Sequence, residues 1–233
     1  MTRLNLILIG IALLWLQPLA ADVTDDRSRL IAESDAGKVV YSMVSCRATV
    51  ADRHQCEQFE LDRRIHIQWI DSAVKLNNVA LTPEETASAE NKTKADDAHI
   101  VAAAARFKAL AEGALRVRRG EDRGRVLADL SKQRVTARDL DWEVDHLPTI
   151  AAAEKAAAKD YVAEGRQAAR DYYAHLSYLV HLRRIVEQRA VAEHVPFAAA
   201  EERFWSDVAR ATHTRIVDPA FTLPARKGIL VNQ

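Results

Sequence analysis

Two cysteines, Cys46 and Cys56, lie close together in the chain, and a short pair of this kind admits three chemistries. A Ser45-Cys46 turn could present a nucleophile, yet nucleophilic catalysis also needs a histidine and an orienting group, and no G-x-S-x-G turn occurs. A metal site needs more ligands than this pair, and no two of the eight histidines have the spacing of a zinc-binding helix. The remaining reading is a local disulfide that pins the start of a helix to the segment before it, with two buried free thiols as the alternative. The carboxylate pairs Glu84-Glu85 and Glu201-Glu202 have the residue types of acid–base catalysis. Both are expected in the first turn of a helix, where negative charge offsets the positive helix end. His175 and His181 are six apart and therefore on different helix faces, and no glycine-rich phosphate loop is present. The sequence predicts no catalysis, no cofactor and no metal.

Bulky apolar residues are the more prominent candidates. Trp69, Ile70, Tyr172, Tyr173, Leu176, Leu179, Phe197, Phe204 and Trp205 exceed what a strictly amphipathic bundle requires. An open helical cradle could present them to an extended polypeptide. The competing reading is that they fill the core. The basic clusters Arg116, Arg118 and Arg119, and Arg183 and Arg184, read as a solvated face or as a screen for acidic partners.

The elements that position these residues are mainly helical. Only 7 Gly and 6 Pro occur, and alanine and charged residues are abundant, a composition that favours helix. Lys38 to Val44 is β-branched and predicts a short strand, and Val126 to Leu130 a second. Thr49-x-x-Asp52 opens a helix to about Asn77, with Leu61, Ile65, Trp69 and Ala73 four apart. Thr82-Pro83-Glu84-Glu85 starts the next helix, followed by a polar break from Glu90 to Asp97. Ile100, Ala104, Phe107, Ala111 and Leu115 mark another helix, ended near Gly120. Gly120 to Gly124 is a linker by composition, and Thr136-x-x-Asp139 caps a helix to His146. A long helix is expected from Ile150 to Glu193, weakened at Gly165, then a short helix bearing Glu201, Phe204 and Trp205, and an extended tail.

The N-terminus sets the expected compartment. Arg3, the apolar run Leu6 to Leu16, and Ala20-Ala21 before an acidic stretch form a signal-peptide pattern. The run is shorter than the roughly 20 residues of a membrane-spanning helix. The periplasm is the expected location, and anchoring in the inner membrane by an uncleaved signal is the alternative. Lys plus Arg and Asp plus Glu balance at 33 each, so no global field draws nucleic acid or anionic lipid.

The segments Lys38 to Asp52 (KVVYSMVSCRATVAD) and Arg125 to Asp139 (RVLADLSKQRVTARD) align without gaps. They match at Val39 and Val126, Arg47 and Arg134, Thr49 and Thr136, and Asp52 and Asp139. VALTPEE at Val79 and VPFAAAE at Val195 form a second echo. An internal duplication is therefore expected: residues 1–21 as signal, 22–120 and 121–215 as two helical units, and 216–233 as the tail. The short strand followed by R-x-T-x-x-D, and the apolar helices ending in KLNNVALTPEE and RAVAEHVPFAAAEE, resemble the N-terminal peptide-binding module of SurA-type periplasmic chaperones and their prolyl-isomerase relatives. The resemblance covers about half of the chain after the signal, in two pieces. It departs from the family in lacking the asparagine-glycine turn, replaced by Ser45-Cys46 and Lys132-Gln133. With seven glycines the chain has no room for a parvulin-like isomerase domain. The resemblance implies a helical chaperone-like module with one or two short strands, binding non-native or extended polypeptides without turnover. A scaffold or accessory subunit of an envelope complex, paired through the long helix, is the alternative.

Overall fold

The computed structural model describes residues 28–46 and 50–230; the proposed signal sequence and Thr49, the expected helix cap, lie outside them. The fold is mainly helical. Strands β1 (Leu30–Ser34) and β2 (Gly37–Val40) form an antiparallel hairpin, and β3 (Arg215–Ile216) pairs antiparallel with the other edge of β1. Gly37 takes a φ of +144° at the hairpin turn, a backbone state that side chains resist. The strand expected over Lys38 to Val44 therefore ends at Val40, and the chain turns into one helical turn, α1 (Tyr41–Val44).

Helix α2 (Val50–Leu76) buries the predicted stripe of Leu61, Ile65, Trp69 and Ala73. It stops where Asn78 adopts a left-handed φ of +50° and the Val79 N–H donates back to the Val74 carbonyl. The same stop recurs at His194 after Ala190 and at His213 after Ala209. In this glycine-poor chain asparagine and histidine thus serve as left-handed helix terminators, a position that usually falls to glycine. Helix α3 (Pro83–Ala95) opens on the expected capping box. The Thr82 hydroxyl accepts the Glu85 N–H, and the Glu85 carboxylate accepts the Thr82 N–H. The helix runs through the polar segment that predicts a break and yields to α4 (Asp97–Arg118) only at Asp96.

Beyond α4, the segment expected as a second strand is helix α5 (Arg123–Leu130). The Asp122 carboxylate accepts the Arg125 N–H, and Val126 and Leu130, four apart, bury one face; a strand would have placed them on one face too, so the cap decides. After a 3-10 turn at Ser131–Gln133, the Thr136/Asp139 capping box starts α6 (Ala137–His146), as its spacing predicts. The expected single helix from Ile150 is two, α7 (Ile150–Ala157) and α8 (Tyr161–Glu193). The break falls at 158–160, where the Asp160 carboxylate accepts the N–H groups of Val162 and Ala163, and Gly165 lies buried inside α8 without interrupting it. Helix α9 (Phe197–Ala211) precedes β3. The tail has neither helix nor strand from 217 to 230, and it packs on the core through Phe221 and Leu230.

Contacts divide the chain into two compact units, Thr86–Tyr173 and residues 28–85 with 174–230, with boundaries inside α3 and α8. The division expected at residue 120 falls instead inside the first of these units. Lys38 to Val40 is strand, whereas its counterpart from Arg125 is helical, so the start of the two aligned windows differs in structure. The unit of residues 28–85 and 174–230 has one core, drawn from β1, β2, α2, α8, α9 and the tail. In Thr86–Tyr173, α4 is flanked by α5, α6 and α7 around two smaller cores. Gly113 allows this closeness: a Cβ there would stand 2.6 Å from Leu130 Cδ1.

Candidate functional site

The expected binding residues do not form one open surface. Trp69, Ile70, Leu179, Phe204 and Trp205 are buried together in the core, with the Trp69 and Trp205 rings stacked at 6.4 Å. These five correct the reading of an exposed cradle: their stripes lie where α2, α8 and α9 meet, and burial of large rings outweighs presenting them to solvent. Phe197 is half-buried against the same core, with the Arg183 guanidinium 5.8 Å from its ring centre. Tyr172, Tyr173 and Leu176 are half-buried. The Tyr173 hydroxyl donates to Asp96, and the Lys92 ammonium lies 5.5 Å from its ring centre, so this phenol is engaged within its own unit. Burial, and then the Asp96 carboxylate, push its ionisation well above the usual range.

The other candidates are also structural. Cys46 and Cys56 form a disulfide between the end of the hairpin segment and the first turns of α2. Nearby, the Tyr41 hydroxyl donates to Glu57 at 2.6 Å, and burial together with that carboxylate pushes the phenol up to about 12. The bridge closes a loop with a sequence separation of 10. Reduction is expected to remove about 2–3 kcal/mol through the loop-closure entropy regained by the unfolded chain. Urea unfolding with and without a reductant measures this, and unchanged midpoints would show that the bridge adds no stability.

Glu85 does sit in a first turn, but Glu201 lies inside α9 and is fully buried, a correction to the paired-carboxylate reading. His175 and His181 are on α8 and meet Asp71 at 2.7 Å and Glu85 at 2.9 Å. The basic clusters are matched locally: Arg116 with Glu121 and Asp129, Arg119 with Glu154, Arg183 with Glu187, and Arg118 on the carbonyls of Val144 and Leu147.

His66 is expected to make the stability of the fold depend on pH. His66 bonds through Nε2 to the Ala225 carbonyl, and burial lowers its pKa against the opposing pull of that bond and of Asp62. The neutral ring is therefore favoured in the folded state, while the unfolded ring takes up a proton near about 6.5. Its contribution to stability is present above that value and is lost as pH falls below it toward the folded pKa. Urea midpoints should decline from pH 7 to pH 5 in the wild type and decline less in His66→Gln. Equal slopes would remove His66 from the account.

An open groove of about 450 Å³ lies within the unit Thr86–Tyr173. Val101, Ala104, Ala105 and Lys108 from α4 form one side, and residues 158–162, from the α7–α8 break into α8, form the other. Val101 is 42% exposed although apolar. Tyr161 is only 8% exposed, with its ring stacked on Phe107 at 6.2 Å. Burial, then the charges of Glu143 and Glu164, raise its phenol well above the usual value. The sequence signal for this place is faint: a run of alanines that leaves a concavity, and a helix break without proline or glycine. Among the described residues no helix is long and apolar enough to cross a membrane. No family model, curated protein or solved structure matches the chain.

Proposed function

We propose that this chain is a chaperone-like protein of the bacterial periplasm that holds non-native or extended polypeptide segments without turning them over. The observation that carries the reading is the groove between α4 and the start of α8, with Val101, Ala104, Ala105 and Val162 along it. Its volume is within the range of about 300–1,000 Å³ typical of ligand sites, and exposed apolar surface of this kind suits short apolar stretches of an unfolded chain. The resemblance to SurA-type peptide-binding modules and the signal-like N-terminus point the same way, and the balanced charge argues against nucleic acid and anionic membrane as partners.

The test is whether the purified protein suppresses aggregation of an unfolded outer-membrane protein at stoichiometric ratios. Suppression is the expected result, and its absence at every ratio overturns the reading. A second reading, a helical scaffold or accessory subunit of an envelope complex, is favoured by Val180 and Val191, which are 45% and 74% exposed and share one face of α8. A stable dimer or heteromer with no effect on aggregation selects that alternative.

A further inference from the structure

The tail, residues 217–230, has no helix or strand of its own, and side chains of α2 and α9 hold it by its main chain. Gln58 of α2 takes both backbone groups of Thr222: its amide donates to the carbonyl at 2.9 Å, and its oxygen accepts the N–H at 3.0 Å. Further along α2, Nε2 of His66 lies 3.2 Å from the Ala225 carbonyl. On α9 the fully buried Glu201 carboxylate accepts the N–H groups of Gly228 and Leu230 at 2.8 and 2.7 Å. These side chains do for the segment what a neighbouring strand does in a sheet. The tail adds apolar anchors: Phe221, Pro224 and Leu230 are buried, whereas Thr222, Ala225 and Lys227 are exposed. Main-chain groups are common to all sequences. An extended chain with apolar residues at the three anchor places, and glycine where Gly228 takes its φ of +78°, therefore meets the same partners.

We propose that the face formed by α2 and α9 is a seat for an extended polypeptide, filled here by the chain's own tail, and that a foreign segment of the pattern Phe-x-x-Pro-x-x-x-Gly-x-Leu displaces the tail and takes its place. This seat is separate from the groove between α4 and α8 and does not depend on it. The tethered tail competes at an effective concentration on the order of millimolar, so the seat stays shut to segments that match it poorly. A segment with the three anchors and the glycine replaces the tail's burial and its backbone hydrogen bonds together, which leaves neither Glu201 nor Gln58 without partners.

The test is fluorescence anisotropy with the full chain, its disulfide intact, and an amidated, fluorescein-labelled peptide of that pattern with serine at every x. The wild type is expected to bind it weakly. Phe221→Ser/Leu230→Ser strips the tail of two anchors and leaves the seat intact, so it should bind the peptide about tenfold more tightly or better, the effect of removing a tethered competitor. Adding Glu201→Ala to that variant should lower affinity again by about tenfold or more, because two hydrogen bonds from the peptide to a carboxylate are lost. A peptide with serine in place of Phe, Pro and Leu should not bind. A second readout needs no variant: excess peptide should speed deuterium uptake by residues 219–230 of the wild type while α2 and α9 stay protected. That readout decides alone if the double variant unfolds. Binding no tighter in the double variant, binding that survives Glu201→Ala unchanged, or uptake at 219–230 that no peptide concentration alters overturns the inference. So does binding confined to a peptide of the chain's own residues 219–230, which marks the seat as a joint between copies of this chain. Suppression of aggregation by the wild type tests the chaperone reading alone, and its failure leaves tail displacement to be judged on these measurements.

Discussion

Replacing Trp69 by alanine is expected to remove about 3–5 kcal/mol of stability, the range for deleting a large aromatic ring from a packed core. The residue is fully buried, at the centre of the α2 stripe, and its ring is stacked against Trp205 at an interplanar angle of 18°. Its indole N–H donates to the Thr214 hydroxyl at 3.1 Å, and that hydroxyl lies 2.7 Å from the Thr212 hydroxyl. Truncation therefore opens a cavity beneath Trp205 and also leaves a buried hydroxyl pair short of a partner, two losses that add. Thr214→Val keeps the ring but removes the acceptor, leaving the buried indole N–H unpaired, and should cost about 1–3 kcal/mol. Urea unfolding followed by far-ultraviolet circular dichroism measures both. A loss below about 1 kcal/mol for Trp69→Ala would place this residue outside the core and revive its reading as a contact for other chains.

Why that residue invites two readings follows from the limits of periodicity. The stripe of Leu61, Ile65, Trp69 and Ala73 establishes that one face of α2 is apolar, and the structure buries that face. The stripe does not reveal what covers it. Here α8, α9 and the tail contribute to the same core, through Leu182, Trp205 and Phe221 among others. Local chemistry is more legible. The Thr82/Glu85 and Thr136/Asp139 boxes and the Cys46–Cys56 bridge all depend on residues a few positions apart, and all three form. Strand β1 leaves no such trace, because a register shift between Leu30 and Ala32 places Ile31 and Ala32 both inside, which destroys the alternation that marks a strand. The helix at Val126 resembles a strand in sequence because a run of five residues carries both periods equally well. The groove is hidden for the opposite reason to Trp69: a concavity forms where side chains are small, and Ala104, Ala105 and Ala158 carry no signal by type.

The tail depends on a single carboxylate, and Glu201→Ala should release it. Glu201 is the fifth residue of α9 and is fully buried, with no cation paired to it among the described residues. Its two oxygens accept backbone N–H groups instead, from Gly228 at 2.8 Å and from Leu230 at 2.7 Å. Gly228 takes a φ of +78° at this point, which lets the backbone turn both N–H groups toward one side chain. Hydrogen bonds to a charged group contribute about 1.5–3 kcal/mol each, so losing both while leaving two N–H groups unpaired should cost about 3 kcal/mol or more. Leu230, at 1% exposure, loses its place in the core as the tail detaches. Glu201→Gln is the sharper variant: its amide oxygen can keep one bond, but its NH₂ faces the other N–H, donor against donor, so an intermediate loss is expected. Limited proteolysis should cut residues 218–230 faster in Glu201→Ala than in the wild type, with Glu201→Gln between them, and urea midpoints should follow the same order. Wild-type protection of that segment in both variants would show that the tail is held by its apolar contacts alone.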